Sequence, residues 1–195
     1  MSQVFNVTLV GVGGQGILLT SDILARAAAL SGKTVKKSEI HGMSQRGGSV
    51  TSQVRFCDDP DLVFGPIIPH GQSDVLVAFE KLEAARYCPL LKPDSGKALV
   101  DNREMITTTV SSGMQKGVDD IDALLKKLYG DRMKLVESTS LALQVGNTRT
   151  ANMVIAGALS KIMPFNVEAW HQAMRDRIKP SLVEINLKAF EAGRQ

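Results

Sequence analysis

Short, continuous apolar runs alternate with segments whose apolar residues recur every three to four positions, the pattern of strands and helices taking turns in an open α/β sheet. Val7-Thr8-Leu9-Val10 predicts a buried strand, followed by Gly11-Val12-Gly13-Gly14-Gln15-Gly16. A helix from about Gln15 to Ser31 then carries Ile17, Leu18, Ile23, Leu24, Ala27 and Ala28, with Gly32 as its stop signal. Asp22 and Arg26, four apart with the acid first, read as a surface pair on that helix. Thr34 to Glu39 reads as the next strand and completes a β-α-β start.

His41 to Gly48 has no hydrophobic period and predicts a loop. Val50, Val54 and Phe56 then alternate with Thr51, Gln53 and Arg55, with Ser52 interrupting. That is the pattern of a half-buried strand at an edge or in an antiparallel position. Asp58 to Asp61 is a turn, and Gly65 to Gly71 continues as an irregular segment. Asp74 to Phe79 is apolar throughout after its first residue and fits a central strand covered on both faces. A helix over Glu80 to Tyr87 stops before Pro89, and Ala98-Leu99-Val100 gives another strand. The threonine-rich stretch Met105 to Val110 reads as a marginal strand.

Asp119 or Asp120 caps a helix with Ile121, Leu124, Leu125 and Leu128 on one face, ended by Gly130. Leu135-Val136 belongs to a last short strand. Thr148 or Thr150 caps a helix through Lys161, in which Ala156-Gly157-Ala158 predicts close packing against the sheet. Asn166 starts a helix with Trp170, Ala173 and Met174 inward. Ser181 and Glu184 have the spacing of a capping box for the final helix. These elements make one domain over residues 1–195.

Composition narrows the function. At 195 residues, with 44% hydrophobic and 22% charged residues, the chain can bury a real core. A net charge of +3 with no basic run argues against nucleic acid. No run nears the ~20 apolar residues that span a membrane, and the first residues lack a secretory pattern, so a cytoplasmic protein is expected. Cys57 and Cys88 are far apart and read as buried, reduced thiols. His41, His70 and His171 have no ligand-spaced neighbours, which gives no metal site. There is no G-x-S-x-G elbow and no P-loop. No catalytic residue can be assigned.

Two glycine-rich loops remain. Gly11, Gly13 and Gly16 fit G-x-G-x-x-G, which lets a backbone turn sharply and approach a phosphate at a helix N-terminus. Gly14 and Gln15 lie within the same turn. The second loop, Arg46-Gly47-Gly48, follows a strand and is expected to gather near the first at the carboxyl ends of the sheet. Glu39, about 20 residues past the glycines, has the place of a ribose-binding acid, though Lys36 and Lys37 argue against plain NAD. On residues alone three readings stand: an oxidoreductase subunit inactive by itself, a free-standing NAD(P)-dependent oxidoreductase, and a non-catalytic nucleotide-binding module.

The chain resembles the gamma-type subunits of 2-oxoacid:ferredoxin oxidoreductases. The likeness is carried by Gly11-Val12-Gly13-Gly14-Gln15-Gly16, by Arg46-Gly47-Gly48 with Ser49-Val50 after it, by Asn152-Met153, and by the tail Asn186 to Gly193. The longer form Ser38 to Gly48 is most similar to the indolepyruvate-type members. The resemblance implies a single Rossmann-like, three-layer α/β/α domain with an open, mostly parallel sheet. It also implies oxidative decarboxylation of a 2-oxoacid to its acyl-coenzyme A, with electrons passed to ferredoxin. No cofactor is then bound tightly by this chain. Thiamine diphosphate and iron–sulfur clusters belong to a larger partner subunit, and Gly11, Gly13, Gly14, Gln15, Gly16, Arg46, Gly47 and Gly48 are left either to contact coenzyme A or to pack closely against that partner. A homodimer is an expected form of the isolated chain.

Overall fold

The computed structural model describes residues 4–41, 47–106 and 108–195. In chain order the strands are β1 (Phe5–Val12), β2 (Thr34–His41), β3 (Ser49–Cys57), β4 (Val75–Ala78), β5 (Lys97–Asp101) and β6 (Met133–Val136). The helices are α1 (Ile17–Leu30), α2 (Lys81–Tyr87), α3 (Thr108–Ser111), α4 (Ile121–Tyr129), α5 (Ser138–Val145), α6 (Ala151–Ser160), α7 (Val167–Arg177) and α8 (Val183–Arg194). The strands form one sheet in the order β2-β3-β1-β4-β5-β6. Among the described residues only β3 runs against the other strands, pairing antiparallel with both β1 and β2. The open, mostly parallel α/β sheet expected from the sequence is borne out.

Alternation along the central strands explains the layers. Val7 and Leu9 of β1, Val75 and Val77 of β4, and Leu99 of β5 enter one core with α1, α6, α7 and α8. Their neighbours Val10, Leu76, Ala78, Ala98 and Val100 enter the other, against α2 and α4. Strand β4 is therefore apolar throughout because both of its faces are covered.

Several expectations are corrected. Strand β3 is antiparallel but interior, and it is not half-buried. Thr51 and Gln53 are each only 5% exposed, and the irregular segment after β3 folds back over Gln53. The Ile68 N–H donates to Gln53 Oε1 at 2.7 Å, and Arg55 Nη1 donates to the carbonyls of Gly65 and Ile67 at 2.6 and 2.9 Å. Polar side chains were the signal for solvent here, and they are spent on a covering segment instead. Met105 to Val110 is no strand: Met105 and Ile106 are irregular and Thr108–Ser111 is a helical turn, so threonine content gave the wrong sign. Helix α5 went unread.

Leu182 is the N-cap of α8 and gives it no side-chain cap, so the capping box is absent; a 3-10 turn over Pro180–Leu182 leads into the helix instead. Asp120 caps α4, and Asn166 caps α7 by accepting from Ala169 N at 2.9 Å, as expected. Thr150 precedes α6 but makes no capping bond. Cys57 and Cys88 are both free, the first buried and the second only half-buried.

The Asp22–Arg26 pair does not form. Asp22 instead receives Lys37 of β2 and Arg177 of α7, while Arg26 reaches Asp176 at 2.9 Å. Tertiary partners outcompete the local pair because they bring two cations to one carboxylate. Burial pushes Asp22 upward, but the hydrogen bonds and charges of Lys37 and Arg177 outweigh it and hold the carboxyl below its ordinary 3.8. A depressed carboxylate adds stability that is fully present above its unfolded value and is lost as pH falls through the folded one. Asp22→Asn is therefore expected to cost about 1 kcal/mol at pH 7. The gap to the parent chain should close on acidification below pH 3.8. Urea titrations at pH 7 and pH 3 measure it, and a gap that persists unchanged would refute the pairing.

Candidate functional site

The carboxyl ends of the parallel strands meet at the first glycine loop, and the structure brings both glycine loops together there. The Gly13 N–H donates to Gly48 O at 2.8 Å. Val12 stands opposite Ser49 in the β1–β3 register. Arg46 lies outside the described residues. Because β3 is inserted between β1 and β2, the residue flanking the loop is Ser49, not Glu39. Two strand spacings, about 10 Å, separate β2 from β1, and Glu39 is paired with Lys37. The ribose-acid reading of Glu39 is corrected on those two grounds.

Gln15 folds back on its own turn. Its Oε1 accepts from Val12 N at 2.8 Å, and its Nε2 donates to Met105 Sδ at 3.1 Å. Both ends of the amide are thus committed to bracing the loop, against β1 on one side and against the segment after β5 on the other. Gln15 N donates to Val12 O at 3.1 Å. Gly16 is the N-cap of α1, at φ 82°, and gives the helix no side-chain cap. The N–H groups of Gly14 and Gly16 have no partner among the described residues, and those of the first helical turn point the same way by helix geometry.

Beside the loop lies a cleft of about 290 Å³ bordered by Val12, Gly47, Ser49, Glu83, Arg86 and Met105. Its floor holds two buried acids. Glu80, 1% exposed, caps α2 by accepting from the N–H groups of Leu82 and Glu83. Burial pushes its carboxyl up, against the pull of those two bonds. Glu83 accepts from the Ser49 hydroxyl and pairs with Arg86 Nε at 2.9 Å. Further along the edge, Asp101 is 2% exposed and accepts from Ser138 Oγ at 2.6 Å; burial raises its carboxyl too. These carboxylates hold helix starts and strand ends in place, and each is answered by its own donors. They set the rigid rim that positions the loop. Nothing in the pattern of β4 or α2 alone pointed to Glu83, since its Ser49 partner lies 34 residues away in sequence, whereas Glu80, read as the first residue of the helix, is its N-cap.

Around this edge, large apolar side chains face outward. Leu18 follows the glycine loop, Ile40 ends β2, Met105 and Ile106 follow β5, and Met114 and Val118 precede α4. Ile106 is 73% and Met114 79% exposed.

Residues 6–195 match the pyruvate ferredoxin/flavodoxin oxidoreductase family. The chain belongs to that family. It is 36% identical over 193 residues to the indolepyruvate oxidoreductase subunit IorB of Pyrococcus horikoshii, covering 97% of this chain and 94% of that one. Among solved structures it is similar to the gamma subunit of a keto/oxoacid ferredoxin oxidoreductase from Geobacter sulfurreducens, with a TM-score of 0.71 and 27% identity over 98% of this chain and 94% of that one. The 2-oxoglutarate:ferredoxin oxidoreductase of Magnetococcus marinus, solved with 2-oxoglutarate, coenzyme A and succinyl-CoA, shares the fold at a TM-score of 0.75 and 20% identity. This chain matches 31% of that longer one over its whole length. The gamma-type resemblance read from the glycine loops is borne out.

Proposed function

We propose that this chain is the small subunit of an indolepyruvate-type 2-oxoacid:ferredoxin oxidoreductase. The complex would decarboxylate an aryl 2-oxoacid oxidatively to its acyl-coenzyme A and pass the electrons to ferredoxin. The observation that carries the reading is 36% identity to an indolepyruvate oxidoreductase subunit along nearly the full length of both chains. The chain works as one domain over residues 1–195, in the cytoplasm, and not alone.

Thiamine diphosphate and iron–sulfur clusters do not fit the residues here. The two cysteines are free, and Cys57 Sγ is turned onto Asp59 O at 3.2 Å. Among the described residues no group of three or more His, Cys, Asp or Glu side chains could hold a metal. Both groups belong to a larger partner subunit, and cofactor chemistry then leaves binding, shape and closure to this chain. Coenzyme A meets the carboxyl edge at Gly11, Gly13, Gly14, Gly16, Gly47 and Gly48, with Gln15 bracing the turn, and Arg46 is proposed as a further contact from the sequence alone. The outward Leu18, Ile40, Met105, Ile106, Met114 and Val118 form the partner's landing surface. Apolar side chains gathered on one rim, next to the cleft beside the glycine loop, mark an interface more readily than scattered ones do.

Ile106→Asp tests this. Ile106 is 73% exposed, so the variant should fold as the parent does. A charge buried at the interface should weaken assembly with the large subunit about tenfold or more. Anaerobic co-isolation of the tagged chain, followed by indolepyruvate-dependent ferredoxin reduction, reads both partner and activity. Unchanged assembly of Ile106→Asp would move the interface elsewhere, and oxoacid oxidation by the small chain unaided would overturn the subunit reading itself.

A further inference from the structure

Strand β2 closes the sheet on one side, and its outer edge is bare. It pairs with β3 from Thr34 to His41, and among the described residues no strand lies beyond it. Its outward N–H and C=O groups take no further backbone partner among the described residues. A regular edge of eight residues is a template for another strand. The other edge, β6, has only four.

Edges are ordinarily guarded by charge, and Lys36 and Lys37 alone would make such a guard. Glu39 changes the balance. Successive side chains of β2 point to opposite faces. Lys37 and Glu39 share the face toward α1, where they pair with each other and Lys37 also reaches Asp22. Lys36, Ser38 and Ile40 share the other face, opposite Arg55, Gln53 and Thr51 of β3.

The charge pattern selects a second β2 as the strand that fits this edge. Directly opposed residues of an antiparallel pair lie on the same face, so two identical strands related by a two-fold axis pair about a residue that faces its own copy. Centring on Lys36 or Lys37 sets ammonium against ammonium, and centring on Glu39 sets carboxylate against carboxylate, each of them destabilising. Registers centred nearer either end pair only a short part of the strand. Centring on Ser38 avoids every like pair. It puts Lys37 opposite the second copy's Glu39, and Lys36 opposite the second copy's Ile40, each twice by symmetry. The Lys36 stem then covers part of Ile40, which is 58% exposed in the single chain. The segment held over Gln53 and Arg55 also presents Val63 and Ile67 to the outside. They add apolar area to the backbone pairing, toward the roughly 1,200 Å² that stable interfaces bury.

We infer that two copies of this chain associate through β2, antiparallel and centred on Ser38, so that the sheet continues from one copy into the other. The pairing uses only this chain's own edge and does not depend on which oxidoreductase complex the chain serves. In the complex proposed above it sets two small subunits side by side, with Ile40 where their junction meets the large subunit's landing surface.

Sedimentation of the full chain over a micromolar concentration range should show a species of twice 21.0 kDa. Ser38→Cys, in a chain that also carries Cys88→Ser, reads the register. Opposed residues have Cα atoms about 4.5–5.5 Å apart, within the ~4.4–6.8 Å that a disulfide spans, so mild oxidation should give a covalent dimer. Lys36→Cys in the same background should not, because it faces Ile40 and not itself. Glu39→Lys sets lysine against lysine and should raise the dimer dissociation constant about tenfold or more. If that variant fails to fold, the two cysteine variants still decide. A monomer at high micromolar concentration overturns the inference, as does a dimer that Lys36→Cys cross-links as readily as Ser38→Cys. Glu39→Lys that releases the large subunit while self-association persists gives the edge to that subunit, and overturns it too. Co-isolation of the large subunit with the parent chain tests the subunit reading separately, whatever the association state of the small chain.

Discussion

Gly157→Ala is expected to destabilise the chain, although alanine is the better helix former. Gly157 lies in the middle of α6, and a Cβ there would sit 2.0 Å from the Phe190 carbonyl oxygen of α8. The contact is reciprocal, since a Cβ on Gly193 would lie 1.9 Å from Val154 O. Replacing glycine by alanine gains about 0.5–1 kcal/mol of helix propensity. Separating two packed backbones costs about 1–3 kcal/mol or more, and no flexible side chain can give way here. Strain wins, for a net loss of about 2 kcal/mol. In a chain of this size that lowers the melting temperature by roughly 4–8 °C. Gly157→Ala and Gly193→Ala together should cost less than the sum of the two. The would-be Cβ of Gly157 also lies 3.2 Å from the Gly193 Cα, so the first substitution already moves the helices apart. Thermal and urea unfolding of both singles and the double decide it. A melting temperature that holds or rises in Gly157→Ala would mean that the helices are not in backbone contact.

The same pair shows what could be read in the sequence and what could not. Small residues at Ala156-Gly157-Ala158 announced a close approach, and the approach exists. Its partner is α8, not the sheet, because residue size records that something comes near without recording what. The central strands were legible for the opposite reason: Val75 to Ala78 is buried on both faces, and such burial leaves a continuous apolar run. Strand β3 misled because Gln53 and Arg55 find their partners ten or more residues away in an irregular segment. The glycine loops were located correctly and drawn together as expected, by the bond from Gly13 to Gly48. Yet the detail differs. Gln15 had the right place for a ligand donor, and its bond to Met105, 90 residues on, has no local trace. Asn152 was visible only as part of a family resemblance, with no role until its amide was found beside Gly16.

Gly16→Ala is the second large effect expected, and it separates two reasons for one glycine. At φ 82° an L-residue pays for the left-handed backbone, about 1–2 kcal/mol. A Cβ would in addition meet Asn152 Nδ2 at 2.5 Å and Cγ at 2.9 Å, adding about 1–3 kcal/mol if the side chain cannot retreat. Gly14 supplies the control: its φ is 104°, but a Cβ there meets nothing within 4 Å. Gly14→Ala should therefore show the backbone cost alone, and Gly16→Ala the larger loss. Pairing Gly16→Ala with Asn152→Ala should recover the steric part and leave the conformational part, so the cycle measures the contact between the helix cap and the amide directly. Urea unfolding of the three variants and the double gives every term. Equal losses at Gly14 and Gly16, or no recovery in the double, would show that Asn152 does not press on the loop.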